Sequence, residues 1–547
     1  MPTLPEGIQP YTPADPWENA HQNFKHRFRP GASYNLQIDS TTTRLSDYND
    51  MTANIQWLIR NAIDGNTPIR AMGNNWSFSP VAMCNGGMIA TKGLNLTFKL
   101  GNSSLSERYL AGGKTKDDVM FVQCGATISY LNDTLEIRSS PRRSIRASGG
   151  SNGQTLAGAT STGTHGGALF TGAVHDTVIG LHLVTGADSH VWLERASRPA
   201  ASDEFIEALG AKAIRDDAMF NAAIVSFGAF GIIHGLLIET EPLFLLQEYR
   251  FDNVAYTKQL TDALGKLDLP ALRGLLPGLP RENDAMKLYH LEINLNPFNF
   301  EHDNPAKGIY IRTFYKMPCP SDYVPNHDQL ASERTYGDDL TGIVSRVLDA
   351  AGPVLDKHIV GPLVNGLFKT ALRAAAPAPQ TIGEIFRYTR FRGQIASAAF
   401  AVDTRDIPAV LEEILAVNKV NPFAGGIAMR FVKGTEATIG FTRFANSCVF
   451  EMDGIDAPLT RKFFEAVWSR LEKAKLPYTL HWGKLNFILN EQRVEQMYGA
   501  EKVASWKACR EALLDGPTRR IFTNDFMKQC GLDKPAGRVG PSARPLA

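Results

Sequence analysis

The sequence predicts an α+β protein with at least two domains, and three observations lead to this prediction. At 547 residues the chain is too long for one small core, so two large domains or three average ones are expected. Three glycine-rich loops, each next to a strand-like segment, lie before residue 245. From about residue 246 to 500, strand-like and helical segments alternate in mixed order, which is typical of an α+β domain with an antiparallel sheet.

The composition excludes several classes of protein. A net charge of +1 gives no electrostatic reason to expect a nucleic-acid partner. The six cysteines have no close spacing, so neither a disulfide framework nor a cysteine metal site is predicted. Because the chain shows no signal-peptide pattern and no apolar run long enough for a membrane span, we expect a soluble, cytoplasmic protein.

The first part of the chain is predicted to contain an N-terminal arm at 1–30 and a cofactor-binding domain at 31–245. The arm either wraps a surface or stays loose. Helical spacing of Ile55, Leu58, Ile59 and Ala62 predicts the first helix. The further elements predicted here are a strand at 68–72, a helix at 128–135, a hairpin of strands 178–185 and 190–193, two helices within 203–226, and a buried strand ending at Pro242.

The second part, 246–500, is predicted to form an α+β domain with an antiparallel sheet, and the segment 501–547 is predicted to return to the first domain. An apolar helical insertion is expected at about 320–385; it either packs on its own domain or forms a lid or docking face over a site. The other predicted elements are strands at 288–295, 308–314, 428–432 and 447–452 and helices at 257–266, 407–418, 460–473 and 506–514.

The glycine run at 149–167 is the strongest local signal. Seven of its nineteen residues are glycine, and most of the others are Ser, Thr or Ala. Such a segment can bring backbone N–H groups and hydroxyls close to an anionic ligand. A flexible linker is the alternative, but the strand-like alternation that follows favours a folded loop.

Two further loops, 73–80 and 228–231, have related composition. Neither the Walker pattern nor the Gly-x-Gly-x-x-Gly pattern is present in the three loops. We expect the loops to converge on one extended cofactor and to bind its diphosphate with backbone N–H groups.

Five segments of the chain form an ordered set of motifs: Pro68 to Pro80, Ala157 to Gly166, Gly231 to Pro242, His481-Trp-Gly-Lys484, and Asp515 to Phe526. On these segments the chain resembles the vanillyl-alcohol-oxidase-type (PCMH-type) FAD-linked oxidoreductases, and most of all their aldonolactone and alditol oxidase branch. The resemblance covers about residues 45–245 and 425–530. It implies a PCMH-type FAD-binding domain at 31–245, a substrate-binding domain at 246–500 over the flavin ring, and oxidation by hydride transfer to the flavin.

The resemblance also implies which residues bind FAD. Many family members attach the flavin covalently to a histidine of the first loop, and Trp76 occupies that position here. Since Trp cannot form that bond, we expect non-covalent FAD. The predicted cofactor-binding residues are Arg70, Gly73, Asn74, Asn75, Trp76, Ser77, Gly149, Gly150, Gly153, Thr155, Gly158, Ser161, Thr162, Thr164, His165, Gly231, Ile232 and Asn524.

A second departure from the family concerns the substrate strand. The family branch carries Glu-x-Arg there, and this chain has Ala428-Met-Arg430. The arginine is retained but the glutamate is absent, which argues against polyol binding of the alditol oxidase kind.

The predicted chemistry requires that a substrate hydroxyl lose its proton, so the site needs a base or a cation that stabilises an alkoxide. Lys484 and Arg430 are the candidate cations; the alternative for each is an ordinary surface charge. His481 is either the general base or a structural residue packed beside Trp482. We expect His165 to orient the glycine loop or to lie near the flavin.

No metal site is predicted, because the candidate ligands His165, His175 and His182 have no accompanying carboxylate or cysteine cluster. Cys124 is either a cofactor-proximal residue or a small buried apolar one.

The predicted function is FAD-dependent oxidation of a CH–OH group in an alcohol, polyol, lactone or sterol-like substrate, with oxygen or another electron acceptor. Two alternatives stay open at this point. One is a flavin-binding protein without catalysis, and the other is an NADPH-fed reductase of the same fold. The oligomeric state is not predicted.

Overall fold

The computed structural model describes residues 4–38, 44–276, 278–283, 286–327, 365–366, 368, 372–387, 395–423 and 425–536. Most of the predicted insertion at 320–385 therefore lies outside the described residues, and its two alternatives stay predictions. Within the described ranges, no helix is both long and apolar enough to cross a membrane.

Most of the predicted β segments are strands in the structure, and the structure contains several further strands. The hairpin at 178–193 and the four strands predicted after residue 246 are confirmed within a few residues. In chain order the strands are β1 (Ile8–Pro10), β2 (Trp17–Glu18), β3 (Lys25–His26), β4 (Tyr34–Gln37), β5 (Ile69–Met72), β6 (Gly87–Gly93), β7 (Thr97–Phe98), β8 (Val119–Gln123), β9 (Arg143–Ile145), β10 (Val178–Val184), β11 (His190–Glu194), β12 (Lys212–Arg215), β13 (Ile232–Pro242), β14 (Phe244–Val254), β15 (Lys287–Leu295), β16 (Ile309–Pro318), β17 (Ile395–Asp403), β18 (Gly425–Lys433), β19 (Asn446–Ile455) and β20 (Thr479–Leu480).

The predicted helices are also present, although several are longer or shorter than expected. The helix predicted at 128–135 is α-helical only to Asn132 and continues as a π-helical turn to Arg138. In chain order the α-helices are α1 (Leu45–Asp64), α2 (Glu107–Ala111), α3 (Ile128–Asn132), α4 (Leu156–Thr162), α5 (Asp203–Ala208), α6 (Asp217–Ala223), α7 (Lys258–Lys266), α8 (Leu269–Leu275), α9 (Ile382–Ile385), α10 (Ile407–Val420), α11 (Pro458–Lys473), α12 (Glu491–Tyr498), α13 (Ala500–Leu513), α14 (Gly516–Ile521) and α15 (Asp525–Gln529).

Three larger sheets organise these elements. The first has the order β1-β4-β6-β5, with parallel pairing of β6 to both β4 and β5. The second has the order β12-β11-β10-β13-β8-β7, and β9 also pairs with β13. The third has the order β14-β16-β15-β18-β19-β17-β20 and is antiparallel in every pairing that the structure describes. The predicted antiparallel sheet is thus confirmed, and the chain passes from the second sheet to the third between Pro242 and Phe244.

The third sheet has one apolar face and one polar face. Met429 and Phe431 of β18 belong to the main core, and α11 packs on β17 and β19. Because strand side chains alternate between faces, Ala428 and Arg430 lie on the other face. That polar face is directed toward the glycine-rich loops.

The C-terminal segment contacts residues of the first part of the chain. Helix α13 packs against α6, and the buried Arg510 donates from Nε to the Ala229 carbonyl at 2.8 Å. Asn524 donates to the carbonyls of Val81 and Met83 at 2.9 and 2.8 Å. The division into domains at about residue 245 stays a prediction.

A buried ion pair at His327 leads to a prediction about pH. His327 lies between Asp133, at 2.5 Å from Nδ1, and Glu136, at 2.8 Å from Nε2. Burial opposes protonation, but hydrogen bonds to the two carboxylates outweigh it and raise the pKa of His327 to about 9. A raised folded-state pKa contributes stability that is complete below about pH 6.5 and is lost as the pH rises through 9. We therefore expect the difference in melting temperature between wild type and His327→Gln to shrink between pH 7 and 9.5. A difference that stays constant across that range would contradict this interpretation.

Candidate active site

The three glycine-rich loops and the polar face of the third sheet enclose one cavity. The first loop contributes its residues 73–79, the second contributes residues between 150 and 165, and the third contributes Gly228 and Gly231. This convergence agrees with the expectation from the sequence. The predicted residues that line the cavity are Gly73, Asn74, Asn75, Trp76, Ser77, Gly150, Thr155, Gly158, Ser161, Thr162, Thr164, His165, Gly231, Arg430, His481 and Lys484.

The first and second loops approach each other so closely that glycine is required at their contacts. A Cβ atom on Gly73 would lie 2.0 Å from Thr155 Oγ1, and one on Gly153 would lie 1.9 Å from the Trp76 ring. In the third loop, Gly231 has φ +114°, and a Cβ there would lie 2.5 Å from the Val184 carbonyl oxygen. The glycines therefore set the spacing of the cavity walls.

Five predicted cofactor-binding residues do not line the cavity: Arg70, Gly149, Gly153, Ile232 and Asn524. Two of them donate hydrogen bonds to the backbone of residues that line the cavity. Arg70 donates to the Phe227 carbonyl at 2.7 Å, beside the third loop, and burial lowers its pKa to about 10. Asn524 binds the carbonyls that follow the first loop.

The N-terminal arm forms part of the cavity wall, which the sequence did not predict. His21 stacks on Phe78 with ring centroids 3.7 Å apart, and its Nε2 is 3.1 Å from the Trp76 carbonyl oxygen. Burial lowers the pKa of His21 to about 3, and the nearby charge of Lys484 adds to this, so the ring is neutral. The described residues of the arm thus contact the first glycine-rich loop, and the choice between a wrapped and a loose arm stays a prediction.

Arg430 lies between two carboxylates that the sequence analysis missed. Its Nε is 2.7 Å from Glu292 of β15, and its Nη1 is 3.2 Å from Glu451 of β19. Burial opposes ionisation of both glutamates, but the charge of Arg430 outweighs it and holds the pKa of each below its usual value. Arg430 and Glu451 line the cavity, so both present charge to it.

Lys484 begins a short hydrogen-bonded chain. Its Nζ donates to Ser397 Oγ at 2.6 Å, and that hydroxyl donates to Asp453. The Nζ also lies 5.0 Å from the centroid of the Phe78 ring. The lysine is thus placed in the cavity wall and is not an ordinary surface charge.

The contacts of His481 favour a role as a hydrogen-bond donor over a role as a general base. Its Nδ1 accepts a hydrogen bond from the Gly483 N–H at 2.9 Å, so the neutral ring carries its proton on Nε2. Burial holds the pKa of His481 well below its ordinary value, and His165 and Lys484 add to this. These contacts support the structural alternative for His481 and leave it one N–H to donate.

The three histidines considered as metal ligands have different partners. His165 contacts Glu451, His175 contacts Thr435, and His182 contacts Tyr48. Among the residues that the structure describes, no group of three or more His, Cys, Asp or Glu side chains is placed to hold a metal ion.

The comparisons by sequence find lactone-oxidising enzymes, whereas no family model matches the chain. L-gulonolactone oxidase 3 of Arabidopsis thaliana is 25% identical over 365 residues, which are 61% of this chain and 57% of that protein. L-gulono-1,4-lactone dehydrogenase of Mycobacterium tuberculosis is 26% identical over 200 residues, 37% of each chain. The chain thus spans little more than half the length of the first of these relatives.

The comparisons by structure cover nearly the whole chain. The cholesterol oxidase from B. sterolicum aligns over 97% of this chain and 98% of its own, with a TM-score of 0.64 and 13% identity. A chitooligosaccharide oxidase aligns over 93% of both chains, with a TM-score of 0.55 and 12% identity. This chain has the fold of the PCMH-type FAD-dependent oxidases. The predicted resemblance is thereby confirmed, and the lactone oxidases and dehydrogenases among the relatives match the predicted branch.

The residues of the cavity fit the FAD that this fold implies. Residues of three glycine-containing loops line one cavity, together with the hydroxyl-bearing Ser161, Thr162 and Thr164. The Oε1 atom of the cavity residue Gln154 is buried and has no hydrogen-bond partner among the described residues. An orphaned buried acceptor beside a polar cradle is expected where a ligand supplies the missing donor.

Proposed function

We propose that this chain is a FAD-dependent oxidoreductase that oxidises a CH–OH group of a small, polar, hydroxyl-bearing substrate. One observation carries the proposal: a wall of charged side chains, Arg430, Glu451 and Lys484, faces the glycine-rich loops across a single cavity. The loops suit a phosphate-bearing cofactor, and the charged wall suits a hydroxyl that must ionise as it is oxidised.

The cofactor would be held by the first loop around Trp76, by the second loop around Thr162 and His165, and by the turn at Gly228 and Gly231. When bound, FAD supplies an acceptor for the two electrons and the hydrogen that leave the substrate carbon. The chain itself supplies binding, orientation and charge.

The protein groups at the substrate wall divide into donors and one acceptor. Lys484 and Arg430 are positive and stabilise negative charge on a substrate oxygen. Glu451 is ionised and accepts a hydrogen bond, while His481 donates from Nε2. This arrangement orients a hydroxyl and lowers the free energy of its alkoxide, which is what oxidation at the adjacent carbon requires.

The wall favours a lactone or polyol over a sterol, because charged groups at this wall have no partners on a hydrocarbon skeleton. Lactones are named among the substrates of the relatives by sequence, which supports the same choice. Oxygen is the proposed electron acceptor, and a dehydrogenase with another acceptor remains an outcome of the test below. We also propose a cytoplasmic location.

The decisive experiment mixes the FAD-loaded protein anaerobically with a panel of substrates and follows bleaching of the flavin absorbance. The panel contains L-gulono-1,4-lactone, D-arabinono-1,4-lactone, xylitol, 1-butanol, cholesterol and NADPH. Bleaching by a lactone or polyol, followed by peroxide formation when air is admitted, is the expected result. Bleaching by NADPH alone would indicate a reductase, and no bleaching by any member would indicate a flavin-binding protein without catalysis.

We predict non-covalent FAD, because the indole of Trp76 stands where a covalent link would form and packs against Gly153. After precipitation with acid, the pellet is expected to be colourless and the supernatant yellow. A yellow pellet that stays coloured after washing would show covalent attachment. Trp76→His serves as a comparison, since it restores a residue capable of the bond.

A further inference from the structure

Glu451 lies directly opposite Ala428, the position where the sequence lacks a carboxylate. In the pairing of β18 with β19, Ala428 faces Glu451, and Arg430 faces Val449. Residues directly opposite each other in an antiparallel pair share one face, with Cβ atoms about 5 Å apart. The carboxylate of Glu451 therefore emerges on the face that carries Arg430, one strand away from Ala428.

The residues opposite Glu451 on the two neighbouring strands are small, so they do not cover the carboxylate where it lines the cavity. On the other neighbouring strand, β17, the residue opposite Glu451 is Ala399. The side chain opposite Glu451 is therefore only a methyl group on both neighbouring strands. Glu451 is 4% exposed and lines the cavity. It has hydrogen bonds from Arg430 and His165, and a carboxylate with two oxygens can accept more than these two.

His165 connects this carboxylate to the glycine loop. Its Nδ1 contacts the Gly166 carbonyl oxygen at 3.0 Å, and its Nε2 lies 3.2 Å from Glu451 Oε1. A carbonyl oxygen and an ionised carboxylate can only accept hydrogen bonds. Through His165, Glu451 orients the glycine loop at the same time as it faces the cavity.

We infer that Glu451 is the specificity-determining residue of this site, and that its carboxylate accepts a hydrogen bond from a substrate hydroxyl in place of the carboxylate absent at Ala428. The inference rests on the proposed function. It makes a polyol or lactone with more than one hydroxyl the matching substrate class, because Arg430 and Glu451 together offer one donor and one acceptor to neighbouring oxygens.

A carboxylate-relocation experiment tests this inference on the FAD-loaded enzyme. Four variants are compared with wild type: Glu451→Gln, Glu451→Ala, the double variant A428E/E451A, and the double variant A399E/E451A. The two double variants are matched, since both place a glutamate directly opposite position 451, on β18 and on β17 respectively. The probes are L-gulono-1,4-lactone and xylitol, with 1-butanol as a substrate that has a single hydroxyl.

In Glu451→Gln and Glu451→Ala we expect KM for the lactone and xylitol to rise about tenfold or more, because a charge-assisted hydrogen bond is lost, and KM for 1-butanol, which has no second hydroxyl, to rise less. A428E/E451A is expected to recover most of that loss, and A399E/E451A is not. FAD content and melting temperature identify any variant that fails to fold.

Nitrogen NMR of histidine-labelled protein without substrate provides a readout independent of turnover. The His165 ring signals are expected to shift in Glu451→Gln, because the group 3.2 Å from its Nε2 changes from a carboxylate to an amide. Unchanged KM in Glu451→Ala, or equal recovery in both double variants, would overturn the inference while leaving the proposed function intact. No bleaching of the wild type by any member of the panel would overturn both.

Discussion

Lys484→Met is expected to slow substrate-dependent bleaching of FAD by about 100-fold or more, with FAD content unchanged. Lys484 lines the cavity and its Nζ donates to Ser397 Oγ at 2.6 Å; in the proposed function it stabilises the negative charge of an alkoxide. Methionine has a similar length but no charge and no donor. Anaerobic single-turnover measurements with the best substrate of the panel separate this effect from changes in product release.

Lys462→Met provides the matched control, because Lys462 is exposed on α11 and does not line the cavity. Its bleaching rate should equal that of wild type. The related variant Ser397→Ala keeps the charge and removes only the link to Asp453, so an intermediate loss is expected. A bleaching rate within threefold of wild type in Lys484→Met would remove this residue from the proposed chemistry.

Gly153→Ala is expected to weaken FAD binding by about tenfold or more. The added methyl group would lie 1.9 Å from the Trp76 ring, so the indole, which lines the cavity, or the loop that carries it must shift. Overpacking of this kind costs about 1–3 kcal/mol, and 1.4 kcal/mol corresponds to a tenfold change in affinity. Titration of apoprotein with FAD, followed by flavin fluorescence, gives the dissociation constants.

Gly516→Ala is the control for this substitution, since a Cβ there meets no atom within 4 Å. A second test uses Trp76→Ala as background. If the clash causes the loss, Gly153→Ala should have less than about a threefold effect once the indole is absent, as a double-mutant cycle would show. Equal FAD affinity of wild type and Gly153→Ala would mean that the loop spacing does not determine cofactor binding.

The parts of the site that could be predicted from the sequence are those formed by short continuous segments of the chain. Glycine, serine and threonine concentrate in the loops that surround the cavity, and a loop of that composition can be read without knowing its neighbours. Arg430 and Lys484 were found because they stand in short motifs of a known family. Their placement in one cavity wall agrees with that prediction.

The carboxylates of the site could not be predicted in this way. Glu292 comes from β15, far along the chain from the consecutive strands β18 and β19 that carry Arg430 and Glu451, and only the register of the sheet brings the three together. A glutamate within a strand-like segment was the available signal, but it does not identify its partner. For the same reason the absence of a glutamate at position 428 was interpreted as a loss, although Glu451 lies directly opposite it.

The N-terminal arm has a consequence for the order in which the protein matures on the ribosome. Asn23 donates to the Ile395 carbonyl at 2.6 Å and to Asp456 at 2.8 Å, and Arg461 donates to the Asn23 carbonyl at 3.1 Å. Asn23 therefore reaches these contacts only after residues beyond 460 have been translated, whereas the partners of His21, Trp76 and Phe78, are made much earlier. Because Arg430, His481 and Lys484 also line the cavity, its lining is complete only when these later residues have been made, and until then the glycine-rich loops stay open to a cofactor.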